Sequence, residues 1–192
     1  MAITLNGTTG ITTPDVNVTA QSSNIVTTGN ITAVDATLSG GVYVGGTAAA
    51  NYLDDYEEGT YSPTFYSAGT TPTGITYTYQ RGRYVKVGGV VTVHLMLGGT
   101  WTNSPTGIFY MTLPFASFAP SPNSTYGCLV IGYMAGVTLP ASRTFASGEI
   151  PNGASATSIL GNGSGIGGSS CQIVTNVASG FAVEASVTYF VA

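Results

Sequence analysis

The sequence predicts an all-β protein: a C-terminal antiparallel β-sandwich, jelly-roll-like, preceded by an extended N-terminal arm. Three observations carry that expectation. Charged residues make up 6% of the 192 residues while hydrophobic residues reach 43%, so the chain lacks charge without lacking core material, and its low charge does not signal disorder. Apolar and polar residues alternate at period two in many short runs separated by Gly, Pro, Asn and Ser, the pattern of half-buried strands joined by turns. No helix-length crossover lies between the runs, so a central parallel sheet is not expected.

Residues 1–52 stand apart from the rest. Ile3, Leu5, Val16, Val18, Ile25 and Ile31 form short apolar beats, and no aromatic residue precedes Tyr43. So thin a segment cannot bury a core of its own. It is predicted to be an attachment or trimerisation arm that buries those side chains against copies of itself or by strand addition to a neighbour. A loosely ordered linker is the other reading. In AAANYLDDYEE (48–58), Tyr52 and Tyr56 lie one helical turn apart and Gly59 follows as a stop, which predicts a single helical turn at the joint. The main domain is then 53–192.

Strands are predicted at 61–66, 75–80, 83–87, 90–97, 108–113, 126–133, 142–147, 157–160, 171–175 and 181–191. The clearest pair flanks Gly88-Gly89, a loop able to take the positive φ of a tight hairpin turn. With that loop Val87 faces Val90, Val85 faces Thr92, Tyr84 faces Val93 and Arg83 faces His94. Val91, Val93, Leu95 and Leu97 then share one side. In the last run Phe181, Val183, Ala185, Val187, Tyr189 and Val191 alternate with polar residues, and this strand is expected to be paired within the sheet.

The charges concentrate around that hairpin. Asp54, Asp55, Glu57 and Glu58 are half of the eight acidic residues, and Arg81, Arg83 and Lys86 are three of the four basic ones. Neighbouring carboxylates repel one another, and the basic strand is the only cluster able to balance them. A salt-bridge clasp between the two segments, within one chain or across subunits, is the preferred expectation. A solvated acidic face, a calcium site and a glycosidase-type carboxylate pair are the competing ones.

Signals for catalysis are weak. The single histidine, His94, sits inside a strand opposite Arg83, and no HExxH or CxxC motif is present, so no catalytic, cofactor or metal site is predicted. The stretch GNGSGIGGSS (161–170) mimics a phosphate loop, but no lysine or helix follows, and it reads as a long, exposed, mobile loop. Trp101, in the turn-rich GGTWTNSPTG (98–107), is the candidate glycan-binding residue by stacking on a sugar ring; packing in the core or a trimer interface competes. Cys128 and Cys171 lie in separate apolar runs and read as buried free thiols, with pairing left open. A net charge of −4 and the absence of a basic patch argue against nucleic-acid binding. No run of 18 apolar residues predicts membrane insertion, and the N-terminus is not that of a signal peptide. A surface this poor in charge suits an obligate oligomer or a capsid lattice.

The strings LDDYEEGTYSPTF (53–65) and YTYQRGRYVKVGGVVTV (77–93) resemble a segment of tail fibres and related virion surface proteins of tailed bacteriophages, marine and cyanobacterial ones especially. ITLNGTTGITTP (3–14) is similar to the opening of short phage fibre proteins. The resemblance implies a C-terminal β-sandwich beginning near residue 53, a homotrimer, and a place on the virion surface. It also implies partners among other virion proteins (tail, baseplate or major capsid protein) and a host surface glycan. Two non-enzymatic functions compete: a short tail fibre whose distal loops bind the host, and a capsid decoration, head-fibre or cement protein anchored by its arm. A glycan-cleaving spike enzyme is a third expectation of another class, for which the chain is short and poor in acids.

Overall fold

The computed structural model describes residues 30, 34–38, 40–103, 105–119, 127–139, 141–163, 166–170 and 180–192. The predicted arm residues Ile3, Leu5, Val16, Val18, Ile25 and Ile31 lie outside these, as do Cys171 and the run 171–175. Contacts divide the chain between Thr37 and Leu38, and the compact unit is Leu38–Ala192.

That unit opens with a small hairpin. Strands β1 (Val42–Tyr43) and β2 (Tyr52–Leu53) pair antiparallel across a 3₁₀ turn at Ala49–Asn51. The hairpin therefore spans the predicted joint at 52/53. The helical turn expected over 48–58 is confined to those three residues. Beyond it the acidic run is extended, because Tyr56, Glu57 and Glu58 pair with Val87, Lys86 and Val85. Ladder hydrogen bonds to an existing strand outweigh the helix signal of Tyr52 and Tyr56, which tertiary context overrides readily.

The main sheet contains β3 (Tyr56–Tyr61), β4 (Phe65–Ser67), β5 (Thr76–Val87), β6 (Val90–Thr100), β7 (Phe109–Thr112) and β8 (Gly127–Ala135). It is completed by β9 (Phe145–Ile150), β10 (Ala156–Gly163), β11 (Ile166–Ser170) and β12 (Phe181–Phe190). The order is β3-β5-β6-β12-β8-β9-β10-β7-β4, with β11 paired to β10, and every pairing is antiparallel. The class is all-β and sandwich-like, and its two layers are halves of one continuous sheet that curls over itself. Phe65 and Phe109 from one half pack on Phe181 from the other, so the core lies in the fold of the sheet.

The hairpin register is the predicted one: Val87↔Val90, Val85↔Thr92, Tyr84↔Val93 and Arg83↔His94. Gly88 takes φ +53°. Its N–H donates to the Asp55 carbonyl at 2.7 Å, and the Gly89 carbonyl accepts from Val191 N–H at 2.9 Å. The turn thus ties the acidic segment to the C-terminal strand. Strand β12 runs down the middle of the sheet, between β6 and β8. Phe181, Val183, Ala185, Val187 and Tyr189 are buried, as are Val91, Val93, Leu95 and Leu97 facing the same side. The two runs predicted at 75–80 and 83–87 are one strand, β5, with an irregularity between Tyr77 and Tyr79. The glycine-rich stretch predicted as a loop contributes instead to a hairpin, with Leu160↔Ser170 and Gly161↔Ser169 paired. Small residues carry no steric objection to a strand, so the ladder alone decides.

Two core phenols make the fold sensitive to alkali. Burial, and next the charge of neighbouring Tyr189, push the Tyr61 phenol far above the ordinary tyrosine range, and its hydroxyl has no hydrogen-bond partner. Burial pushes Tyr189 up to about 12, although a backbone hydrogen bond at Phe115 pulls the other way. Both groups ionise less readily folded than unfolded. Their contribution is therefore complete below the unfolded value of ~10 and is lost as pH rises through the folded one. Melting temperature should hold up to about pH 9.5 and fall steeply between about pH 10 and 12. Tyrosinate absorbance at 295 nm should show these two phenols titrating only with loss of the near-ultraviolet circular dichroism; smooth titration of every tyrosine in the folded state would contradict this.

Candidate functional site

Strand β5 sorts the basic residues by parity. Successive side chains point to opposite faces, so Arg81 and Arg83 lie on the outer face of the sheet while Lys86 lies on the inner one with Tyr84. The acidic run splits likewise: Glu58 pairs opposite Val85 on the outer face and Glu57 opposite Lys86 on the inner one.

The clasp is accordingly narrower than the sequence predicts. Lys86 Nζ forms an ion pair with Asp55 Oδ2 and lies over the Phe115 ring, 5.7 Å from its centroid. Tyr84 Oη donates to Glu57 Oε1 at 2.5 Å, and that hydrogen bond raises the Tyr84 phenol above its ordinary value. Tyr56 Oη donates to Glu58 Oε2 at 3.1 Å. Among the described residues neither Arg81 nor Arg83 joins an ion pair or hydrogen bond. An Asp55/Lys86 double-mutant cycle should give a coupling of about 0.5–1 kcal/mol that shrinks with added salt, because the Asp55 side chain is 44% exposed. The Asp55/Arg83 cycle should be additive within about 0.5 kcal/mol; a larger coupling there would show that the clasp includes the arginine.

The unpaired arginines border a trough on the outer face. One open depression of about 330 Å³ is lined by Arg81, Arg83, His94, Met96, Val130 and Glu184. A second of about 590 Å³ lies on the other side of Arg83 and His94 and reaches Glu58, Thr60 and Thr92. The strand register explains the grouping: one cross-sheet row reads Thr60–Arg83–His94–Ser186–Val130, and the next reads Arg81–Met96–Glu184–Tyr133. Two guanidinium groups and two carboxylates share the trough, so its formal charge is balanced while none of the four pairs with another there. No hydrogen bond joins His94 to Ser186 or Glu184. Among the described residues no three of His, Cys, Asp or Glu gather as metal ligands. The trough is equipped for charge-assisted recognition by guanidinium and carboxylate groups.

Trp101 lies elsewhere. It stacks on Phe181 at 4.6 Å and meets Phe109 at 5.8 Å and Phe65 at 6.3 Å, packing against the core half-buried. These contacts are what the competing reading, packing in the core, expects of it, and the rest of its surface stays open. A pair that the sequence does not single out is more open: Tyr66 and Tyr110 stack at 4.9 Å with planes 10° apart, opposite each other on β4 and β7. Cys128, expected to be buried, is a free and exposed thiol. It shares the outer-face parity of β8, opposite Thr188, while Leu129 takes the core.

Glu184, Met96, Ser186 and Val130 are the trough residues that sequence reasoning misses. Alternation already assigns Glu184 and Ser186 to the outer side of their strand. What it cannot supply is that this strand adjoins β6. No family model, curated protein or solved structure matches the chain.

Proposed function

We propose that the chain is a non-enzymatic structural protein of a bacteriophage virion, a short tail fibre that contacts the host surface. One observation carries the reading. The two strings that resemble phage fibre proteins, 53–65 and 77–93, hold β3, most of β5 and the start of β6, which adjoin along one side of the main sheet. The resemblance thus falls on a structural unit and not on scattered loops. A chain with only 6% charged residues suits a protein that works inside an assembly. If the host ligand is a glycan, the half-exposed Trp101 and the stacked Tyr66–Tyr110 pair are the aromatic groups that would meet it.

Labelling the protein on intact virions and imaging by electron microscopy tests the proposal. Label at the tail tip or baseplate is the expected result. Label spread over the head would replace it with a capsid decoration or head-fibre role, and particles without label would overturn both. Turnover of host polysaccharide that is lost on changing Asp54 or Glu57 would overturn the non-enzymatic part.

A further inference from the structure

The chain has four basic residues, and two of them, Arg81 and Arg83, stand exposed and unmatched in one trough. Among the described residues neither has an ion-pair or hydrogen-bond partner. The neighbouring strands frame them. Arg81 and Arg83 of β5 form one wall, Glu184 and Ser186 of β12 form the facing wall, and His94 and Met96 of β6 lie between. At ~4.8 Å between strands and ~3.4 Å per residue, the walls stand roughly 10 Å apart and the two residues of each wall roughly 7 Å apart. That is the footprint of one sugar ring with its substituents. The far side of the trough is also built irregularly. Glu184 and Ala185 pair with Tyr133 and Ile131 of β8, so Gly132 is the extra residue of a β-bulge, and it lines the same depression. A Cβ there would meet nothing nearer than the Glu184 carbonyl oxygen at 3.8 Å, so packing does not require the glycine. Bulges are over-represented beside functional sites, where they interrupt pairing and re-aim side chains.

The chemistry of the lining selects a ligand class. A polyanion is disfavoured, because Glu58 and Glu184 line the same depressions as the arginines and would repel it. A neutral sugar leaves both guanidinium groups without a counter-charge. A sugar with one carboxylate satisfies both conditions. Guanidinium groups take a carboxylate through paired, charge-assisted hydrogen bonds. Sugar hydroxyls donate to the Glu58 and Glu184 carboxylates and exchange hydrogen bonds with the hydroxyls of Thr60, Thr92 and Ser186. We infer that the trough binds a monocarboxylated sugar of the uronic-acid class, with its carboxylate on Arg81 and Arg83. The inference rests on the host-contact reading above for the source of the sugar, and adds to it the ligand class and the residues that hold it.

Titration of the isotope-labelled full chain with D-glucuronate, followed by amide chemical shifts at constant ionic strength, tests it. Saturation is expected with a dissociation constant on the order of a millimolar, as a small ligand on an open site allows. The perturbed amides should lie in β5, β6 and β12 around the trough, and glucose and acetate should each bind roughly tenfold more weakly or worse. Arg83→Gln should raise the glucuronate dissociation constant roughly tenfold or more, and Glu184→Ala roughly threefold or more. Both variants should keep the wild-type spectrum elsewhere, because both side chains are exposed. A simple anion site responds in the opposite sense, with tighter binding in Glu184→Ala, and that result would overturn the inference. So would glucose or acetate binding as well as glucuronate, or the peptide Gly-Asp-Gly binding more tightly, which would make the partner a protein. Perturbed amides gathered at Tyr66 and Tyr110 or at Trp101 would overturn the trough and keep the host-glycan reading. Label on the virion head, with glucuronate still bound in the trough, would do the reverse.

Discussion

Replacing Gly82 by valine is expected to destabilise the protein by about 3 kcal/mol, near the upper end for overpacking a core, and so to remove a large part of a typical folding free energy. Gly82 is buried in β5, opposite Tyr61 on one side and Leu95 on the other. The Tyr61 ring already fills the space where a Cβ would be. Backbone strain is not the cause, because Gly82 is not among the glycines with positive φ; the position is closed by occupancy. Tyr61 has little room to withdraw, since it packs against the core. Two measurements check this. Urea denaturation of Gly82→Val should show the loss directly. Combining it with Tyr61→Ala should cost clearly less than the sum of the two single changes, because removing the ring vacates the space the new side chain needs. Additive losses would mean that the clash lies elsewhere.

Phe181→Ala should cost about 3–5 kcal/mol. Phe181 is 4% exposed and touches all three other members of the aromatic cluster, with the Phe65 centroid at 3.9 Å and the Trp101 centroid at 4.6 Å. It sits at the start of β12, opposite Gly99 of β6, so its removal leaves a void where the two halves of the curled sheet meet. Trp101→Ala should fall below it, at about 2–3 kcal/mol, because Trp101 is only half-buried and part of its surface is already in water. The comparison also separates the two roles considered for the tryptophan. A core residue lowers stability when truncated, whereas a sugar platform would leave the denaturation midpoint unchanged and weaken glycan binding alone.

Much of the fold was legible in the sequence. The hairpin register followed from Gly88-Gly89 and the alternation around it, and so did the buried faces of β6 and β12. The acidic run was misread in form because Tyr52 and Tyr56 satisfy helical spacing as well as extended spacing, and only the partner strand decides between them. The glycine-rich stretch was misread because its composition permits a loop and a hairpin equally. The clasp was legible as a pairing of two segments. Its members were not, because which charges meet depends on the parity of both strands and on where Phe115 passes beneath Lys86.

The sequence by itself determined the class, the main hairpin and the two-faced character of its strands. These are local properties: side chains alternate at period two, and a turn residue either can or cannot take positive φ. Only the tertiary structure decided that β12 inserts between β6 and β8 and brings Thr188 beside Thr92 across 96 residues. The same insertion sets Glu184 in the trough with Arg81 and closes Phe181 over Trp101. No local signal encodes such neighbours. They follow from the one arrangement in which the apolar faces of all the strands are buried together, and that condition belongs to the whole sheet.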